Sequence, residues 1–207
     1  MKGILEKARS ELSNFDDFMD GDVYIGCGET ESMRQVAEVV RRVQKKYPAI
    51  RVHFSSGNEA DVRDRLDRGL LDFGFLITSK PPSDYAYFQL CGGDVWGVIM
   101  KSDSPLAKRQ DITARDLEGV PLIASQQAVA NQELAEWLDD SRSHLDVRAD
   151  YNLIYNAALL VDEGVGCALG LDRLVSTYGM TGLIFRPLSP RVTANIYCIW
   201  QKNQVFS

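Results

Sequence analysis

The feature that most constrains the fold is a regular alternation of strand-like and helix-like hydrophobic patterns that begins at Asp22. Residues 23–27 alternate as in a strand, and residues 33–47 have the apolar spacing of a helix, which Pro48 ends. A strand, a helix that Asn58 can cap and that Gly69 ends, and another strand follow within residues 50–77. The last of them, LLDFGFLI, is the nearly continuous apolar run expected of a buried parallel strand. The pattern predicts an α/β fold.

The pattern stops in the proline-containing segment TSKPPSDYAYF, which we expect to be a crossover, and then resumes. Beyond it we predict strands at 95–100, 120–124, 145–151 and 165–171, helices at 130–140 and 154–161, and two last strands in LIFRPL and ANIYCIW. The sequence therefore predicts two similar α/β lobes, with the final strands free to return to the first lobe.

Composition narrows the class of protein. A chain of 207 residues that is 45% hydrophobic is long enough for one domain or for a pair of lobes. Its formal net charge of -6 lacks the basic excess expected of a nucleic-acid-binding surface. No apolar run approaches the roughly 18 residues that span a bilayer, and the first residues lack the apolar core of a signal peptide. We therefore expect a cytoplasmic protein.

The leading segment, residues 1–20, has the pattern of an amphipathic helix that Gly21 ends. Its apolar residues recur at alternating spacings of three and four: Leu5, Ala8, Leu12, Phe15 and Met19. This seam is typical of a helix that pairs with another helix. Two interpretations remain, a linker or dimerisation helix and an ordinary helix folded onto the core.

The glycines of YIGCGETESM, residues 24–33, raise the question of a dinucleotide site. Gly26 and Gly28 fit the first two glycines of GxGxxG, but Glu31 occupies the third position, and no acidic residue closes the following strand. We therefore do not predict a nucleotide site. The segment still joins a strand to the N-terminus of a helix, where free N–H groups favour an acceptor or an anion.

Polar residues at this helix start have two interpretations. Ser32 and Gln35 have the spacing of a capping box. Glu29 and Glu31 either complement the helix dipole or face a ligand. In the second case their charge would disfavour a dicarboxylate and favour a molecule with an amine or several hydroxyl groups.

Similar polar clusters follow the other predicted strands. They comprise residues 55–58, Thr78 and residues 125–127. Ligands of open α/β sheets bind outside the carboxyl ends of the strands, so these groups are expected to converge on one cleft. Each cluster alone is also compatible with loop capping.

Residues for catalysis or metal binding are sparse. His53 and His144 have no nucleophile or ligand at a recognisable spacing, and GxSxG, GxxxxGK[ST] and HExxH are absent from the sequence. The four cysteines are far apart and are predicted to be reduced thiols in strands: Cys27, Cys91, Cys167 and Cys198. We therefore expect no enzyme activity, no metal and no cofactor.

Several motifs, taken in order, resemble one family. The run from DVYIGCGETESM to LLDFGFLI resembles the effector-binding domain of LysR-type transcriptional regulators, including KKYPAIRVHFSSGN and the L..G.LD pattern. SDSPLAKRQDITARDLEGVPLIA is similar to the family's HPLA...I...DL.G.P.I, with Ser104 in place of His. LLVDEGVGCALGLDRLV is similar to LV..G.GIALLP, with Leu171 in place of Pro.

This resemblance implies a type 2 periplasmic-binding-protein-like fold, in which two Rossmann-like subdomains joined by two crossovers hold a small-molecule effector between them. Residues 1–20 would end a linker helix, 21–79 and 178–207 would form subdomain I, and 80–177 would form subdomain II. DNA would be contacted by an upstream winged helix-turn-helix absent from this chain, and the protein would form a homodimer or tetramer.

The resemblance also implies effector contacts that bias lobe closure: Thr30, Glu31, Ser32, Ser56, Asn58 and Thr78 in the first lobe, and Ser125, Gln126, Asn152 and Val165 in the second. Two other classes stay open. A free solute-binding protein of the same fold would need an export signal, and an enzyme on this fold would need a reactive constellation in the cleft.

Overall fold

The computed structural model describes residues 20–125, 132–138, 145–175 and 182–203. The strands are β1 (Gly21–Cys27), β2 (Ile50–Ser56), β3 (Phe73–Ile77), β4 (Ala86–Gln89), β5 (Asp94–Lys101), β6 (Pro121–Ser125), β7 (Asp146–Tyr151), β8 (Cys167–Leu171), β9 (Leu183–Pro187), β10 (Thr193–Ala194) and β11 (Ile196–Trp200). The helices are α1 (Met33–Lys46), α2 (Glu59–Asp67), α3 (Gln132–Leu138) and α4 (Ile154–Asp162), and 3-10 turns cover Pro105–Lys108 and Ala114–Leu117. Residues 1–19 of the predicted leading helix lie outside the described residues.

The first lobe is built on a sheet with the strand order β2-β1-β3-β11-β4. β1 pairs in parallel with β2 and β3, whereas β11 returns from late in the chain and pairs antiparallel with β3 and β4. α2 packs on β1 and β3 and buries Val62 and Leu66. The parallel strands β1, β2 and β3 therefore end at one edge of the sheet, where open α/β sheets bind their ligands.

The second lobe is built on a sheet with the strand order β10-β5-β8-β6-β7, in which β9 also pairs with β5. β6 pairs in parallel with β7 and β8, while β5 pairs antiparallel with β8, β9 and β10. α4 packs on this sheet through Ala157, Ala158 and Val161, which are fully buried. The prediction of two α/β lobes is confirmed by these two sheets.

The sheets assign three strands differently from the predicted subdomain boundaries. We predicted that 178–207 would belong to subdomain I, but β9 and β10 pair with β5 in the second sheet. We also predicted that subdomain II would start at residue 80, but β4 pairs with β11 in the first sheet. Gly97 is one reason for the position of β9, because the ring of Phe185 lies where a side chain at position 97 would be.

Local signals located the ends of α2 correctly. Asn58 caps the helix, since its side-chain oxygen accepts a hydrogen bond from the Asp61 amide at 2.9 Å, and the Asp61 carboxylate accepts one from the Asn58 amide at 3.3 Å. Gly69 follows the helix with a φ of 67°, a conformation that glycine adopts without strain.

The predicted crossover segment holds a strand that the sequence analysis missed. β4 starts inside TSKPPSDYAYF and ends one residue beyond it, at Gln89, and its side chains Tyr87 and Phe88 are exposed. An edge strand needs no buried alternating face, so its hydrophobic pattern is weak.

Among the described residues, no helix is long and apolar enough to cross a membrane.

Candidate functional site

A buried carboxylate joins the two lobes at the start of α1. Asp94, the first residue of β5 in the second lobe, is only 1% exposed. It accepts hydrogen bonds from the hydroxyl groups of Thr30 and of Ser32 in the first lobe, the latter at 3.0 Å. The Ser32 amide lies 3.1 Å from Thr30 Oγ1 and 3.5 Å from Asp94 Oδ2. We call these three residues the Asp94 clamp.

The Asp94 clamp replaces the predicted capping box. Ser32 makes no side-chain cap on α1, because its hydroxyl donates to Asp94 instead. The Gln35 side chain donates to the carbonyl oxygen of Cys91 at 2.9 Å and so also reaches toward the second lobe. The capping-box prediction is therefore wrong: a carboxylate from 62 residues away occupies the positive end of the helix.

A second carboxylate joins the lobes in the opposite direction. Glu29 follows β1 in the first lobe, and its Oε2 accepts a hydrogen bond from the backbone amide of Ile154 at 2.8 Å. Ile154 is the first residue of α4 in the second lobe, and the residue before it, Leu153, supplies no side-chain cap. We call Glu29 and Ile154 the Glu29 clamp. Each lobe thus places a carboxylate on the N-terminus of a helix in the other lobe.

A small cavity of about 20 Å³ lies beside the Glu29 clamp. This volume is close to that of a single water site. Its lining combines a carboxylate, hydroxyl and amide groups with aromatic rings, and it includes Glu29, Ile77, Trp96, Ser125, Tyr151 and Asn152. Residues of both lobes therefore meet at this cavity, at the carboxyl ends of β3, β6 and β7.

Two polar groups of the cavity wall have contrasting environments. Tyr151 donates its hydroxyl to the carbonyl oxygen of Leu169 at 2.7 Å. Burial raises the pKa of Tyr151 above its usual value, and the negative charge of Glu29 raises it further. A hydrogen bond with Ser125 acts in the opposite direction and lowers this pKa in part. Trp96 is 2% exposed, and its indole N–H has no hydrogen-bond partner among the described residues. The cavity wall thus includes a buried tryptophan whose N–H donor is unsatisfied among the described residues.

The predicted first-lobe contacts divide into two groups. Thr30 and Ser32 belong to the Asp94 clamp, so their hydroxyl groups already have a partner. The other four lie outside the described cavity lining. Glu31 pairs with Arg34 at 2.5 Å, and this hydrogen bond holds the pKa of Glu31 below its usual value. Asn58 caps α2. The remaining two are Ser56, which is exposed, and Thr78, whose amide donates to the carbonyl oxygen of Asn195 at 3.1 Å.

The predicted second-lobe contacts also divide. Ser125 and Asn152 line the cavity. Val165 is 38% exposed and precedes β8, whose first residue pairs with Leu122 near the start of β6. It therefore lies at the opposite end of the sheet from Ser125, and the structure does not bring it to the cavity. Gln126 lies outside the described residues.

The sequence analysis missed three residues of the site: Asp94, Trp96 and Tyr151. Asp94 stands before an apolar strand, where a carboxylate usually caps or faces solvent, and no local pattern indicates a partner 62 residues away. Trp96 and Tyr151 lie within predicted strands, and the sequence analysis did not single them out as contacts. Glu29 was considered as a ligand-facing residue, but it was not among the predicted contacts.

A second, larger concavity of about 400 Å³ lies against β5 and β9. Its wall carries mixed charges from Asp111, Asp172 and Arg191 beside the ring of Phe185. Asp172 accepts a hydrogen bond from the Val95 amide at 3.2 Å. None of the predicted contacts among the described residues lines this concavity.

The four cysteines are free, and three are buried in strands. Burial raises the pKa values of the Cys27, Cys167 and Cys198 thiols, that of Cys198 to about 12. Cys91 is exposed in the connection between β4 and β5, so the prediction that all four lie in strands is wrong for this residue. Within the described ranges, no group of three or more His, Cys, Asp or Glu side chains is arranged to hold a metal ion.

Comparison with known proteins matches this chain to one family. Residues 17–207 match the family described as LysR substrate binding domain. The uncharacterized HTH-type transcriptional regulator YvbU of Bacillus subtilis is 23% identical over 202 residues, which are 95% of this chain and 66% of that protein. The HTH-type transcriptional regulator CysB of Haemophilus influenzae is 29% identical over 127 residues, 58% of this chain and 38% of CysB. The chain thus spans less than two thirds of these relatives.

Solved structures show the same fold. The effector binding domain of QuiR in complex with shikimate superimposes with a TM-score of 0.76 at 18% identity, covering 91% of each chain. The cofactor-binding domain of the Cbl transcriptional regulator gives a TM-score of 0.74 at 17% identity, covering 93% of this chain and 85% of that one. The predicted type 2 periplasmic-binding-protein-like fold is thereby confirmed.

Proposed function

Because this chain belongs to the family of LysR substrate-binding domains, we propose that it senses a small-molecule effector in the cleft between its lobes and controls transcription in the whole protein. The observation that carries the site is the cavity where both lobes contribute polar side chains, Glu29 from the first and Ser125 and Asn152 from the second. A molecule bound there contacts both lobes, so its affinity depends on the distance between them.

The clamps provide the physical link between binding and conformation. A ligand shifts an equilibrium only by its different affinity for the two states. The Asp94 and Glu29 clamps bridge the lobes, and the cavity beside the Glu29 clamp has a volume of about 20 Å³. A ligand larger than a water molecule therefore enters only when the lobes separate at the Glu29 clamp. Occupancy then favours one separation of the lobes over the other.

In the whole protein, DNA contact belongs to a separate winged helix-turn-helix, as the HTH-type names of the relatives suggest. The net charge of -6 supports this division, because an acidic domain is repelled by phosphates. We further propose a cytoplasmic homodimer or tetramer without a resident cofactor. The change in lobe separation alters the arrangement of the subunits and thereby the position of their DNA-binding domains.

The other two classes have less support. The family and the relatives fit a regulator rather than a free solute-binding protein. An enzyme would need a nucleophile activated by a base; Ser125, Glu29 and Tyr151 line the cavity, but the relatives are named as transcriptional regulators rather than as enzymes. The proposed function therefore contains no catalytic step.

The test is a thermal-shift screen of the purified chain against amines, amino acids, sugars and carboxylic acids. A ligand at about 100 times its dissociation constant stabilises the folded state by about 2.7 kcal/mol, which gives a clear rise in Tm. The ligand found is then tested on Ser125→Ala, which alters the cavity wall, and on the matched control Ser56→Ala, at the exposed end of β2. Loss of the shift in the first variant alone supports the site. Equal shifts in both variants would contradict it.

A further inference from the structure

We propose that the cleft selects a small cationic molecule, a primary amine that also carries a hydroxyl or carbonyl oxygen, and that Asp94 and Glu29 exclude acids from it. This inference rests on the proposed function, because it specifies the effector of that same cleft. Four features of the described residues carry it: two occupied helix N-termini, an under-coordinated carboxylate, an orphaned indole N–H and a wall without basic groups.

The first anion-binding position of the cleft is already filled. The N-terminus of α1 and the hydroxyl groups of Thr30 and Ser32 together form a site suited to a carboxylate. Asp94 holds that position and is 1% exposed. An acidic effector would have to displace a buried carboxylate of the protein and bring a second negative charge to its side.

The second anion-binding position is filled as well, but less completely. Glu29 Oε2 accepts the amide at the N-terminus of α4, and no described residue donates a hydrogen bond to its Oε1. Glu29 is half-buried and lines the cavity. A half-buried carboxylate with an unused oxygen binds an ammonium group well, because the pair forms a charge-assisted hydrogen bond.

The rest of the wall fits the other parts of such a molecule. Trp96 and Tyr151 contribute aromatic rings to the cavity lining, and an ammonium group or its adjoining methylene groups pack favourably against aromatic rings. The indole N–H of Trp96 is buried and has no partner among the described residues, so a ligand oxygen that reached it as the lobes separate would remove the cost of a buried orphan donor. Ser125 and Asn152 supply further polar contacts.

Nothing in the wall offsets the negative charge. The described lining contains no Lys, Arg or His. Arg173 is near in sequence, but it pairs with Asp172 at 3.2 Å and is 60% exposed. The electrostatic potential of the cavity therefore favours a cation.

The experiment compares short primary amines and amino alcohols with the carboxylic acids of the same carbon skeletons, by calorimetry on the unmodified chain. We expect at least one amine to bind and none of the acids to bind. The amine is then titrated into Glu29→Gln, which keeps an oxygen for the Ile154 amide but removes the charge. The matched control is Glu31→Gln, whose carboxylate pairs with Arg34 away from the described cavity lining.

The expected result is that Glu29→Gln weakens amine binding about tenfold or more, the effect of losing a charged hydrogen-bond partner, while Glu31→Gln leaves it unchanged. Binding of an acid, or equal amine affinities in both variants, would overturn the inference. A neutral or acidic ligand whose thermal shift depends on Ser125 would overturn it while leaving the proposed function intact. If no molecule of any class binds, both proposals fail.

Discussion

The N-termini of α1 and α4 are both met by a carboxylate from the other lobe, but the two clamps differ in completeness. Asp94 is fully buried and accepts hydrogen bonds from two hydroxyl groups, with an amide at the limit of hydrogen-bonding distance. Glu29 is half-buried, accepts one amide hydrogen bond and faces a cavity. The same interaction therefore serves two purposes. Where every partner is supplied by the protein it stabilises the lobe arrangement, and where one oxygen stays unused it leaves a place for a ligand.

The substitution expected to have the largest effect on stability, and so to test this difference most directly, is Asp94→Ala. It leaves the hydroxyl groups of Thr30 and Ser32 buried without their acceptor, so we expect the free energy of unfolding to fall by about 3 kcal/mol. Urea denaturation measures the loss. Added formate should restore part of it by occupying the vacated position, whereas chloride at equal ionic strength should not. An unchanged urea midpoint would show that the Asp94 clamp contributes little.

Glu29→Ala tests the other side of the comparison. It removes one amide acceptor at a half-buried position, so we expect a smaller loss of about 1.5 kcal/mol in the free energy of unfolding, measured by the same denaturation. A loss as large as that of Asp94→Ala would mean that both clamps are structural. The distinction between them would then be wrong.

Ser32→Ala tests whether the Ser32 hydroxyl at the N-terminus of α1 serves the Asp94 clamp or contacts a ligand. Its hydroxyl is one of the groups that donate to Asp94, so we expect a loss of about 1 kcal/mol in stability. Because its hydroxyl already has a buried partner, the affinity for a ligand found in the thermal-shift screen should stay within about twofold, or 0.4 kcal/mol, as measured by calorimetry. A large loss of affinity with unchanged stability would instead show that Ser32 contacts the ligand directly.

The smallest expected effect is a pH dependence at the cavity wall. Burial raises the pKa of Tyr151, so above pH ~10 the unfolded chain ionises this phenol while the folded chain keeps it protonated. The contribution to stability is therefore complete below that pH and is lost as the pH rises. Tyr151→Phe should flatten the decline measured by denaturation, and the exposed Tyr155→Phe should not. Tyr85, whose pKa burial also raises, accounts for part of the remaining decline.

Local sequence signals predicted much of the fold. Asn58 and Gly69 marked the ends of α2, and the alternating pattern identified β1, β2 and β7, because caps and periodicity depend on residues close in sequence. β4 was missed because an edge strand has no buried face to impose a pattern. The sheet membership of β9 was missed because it depends on the packing of Phe185 against Gly97, some 88 residues apart, by the difference of their numbers.

The sequence by itself determined the alternation of strands and helices, the two-lobed α/β class, the family and two residues of the cavity wall, Ser125 and Asn152. Only the tertiary structure decided which carboxylate meets which helix. Ser32 has the local signature of a capping box, yet a buried acid from the other lobe outcompetes that cap, because burying Asp94 without donors would cost far more than leaving Ser32 uncapped. Partners separated by 62 and 125 residues are brought together only by the packing of the lobes.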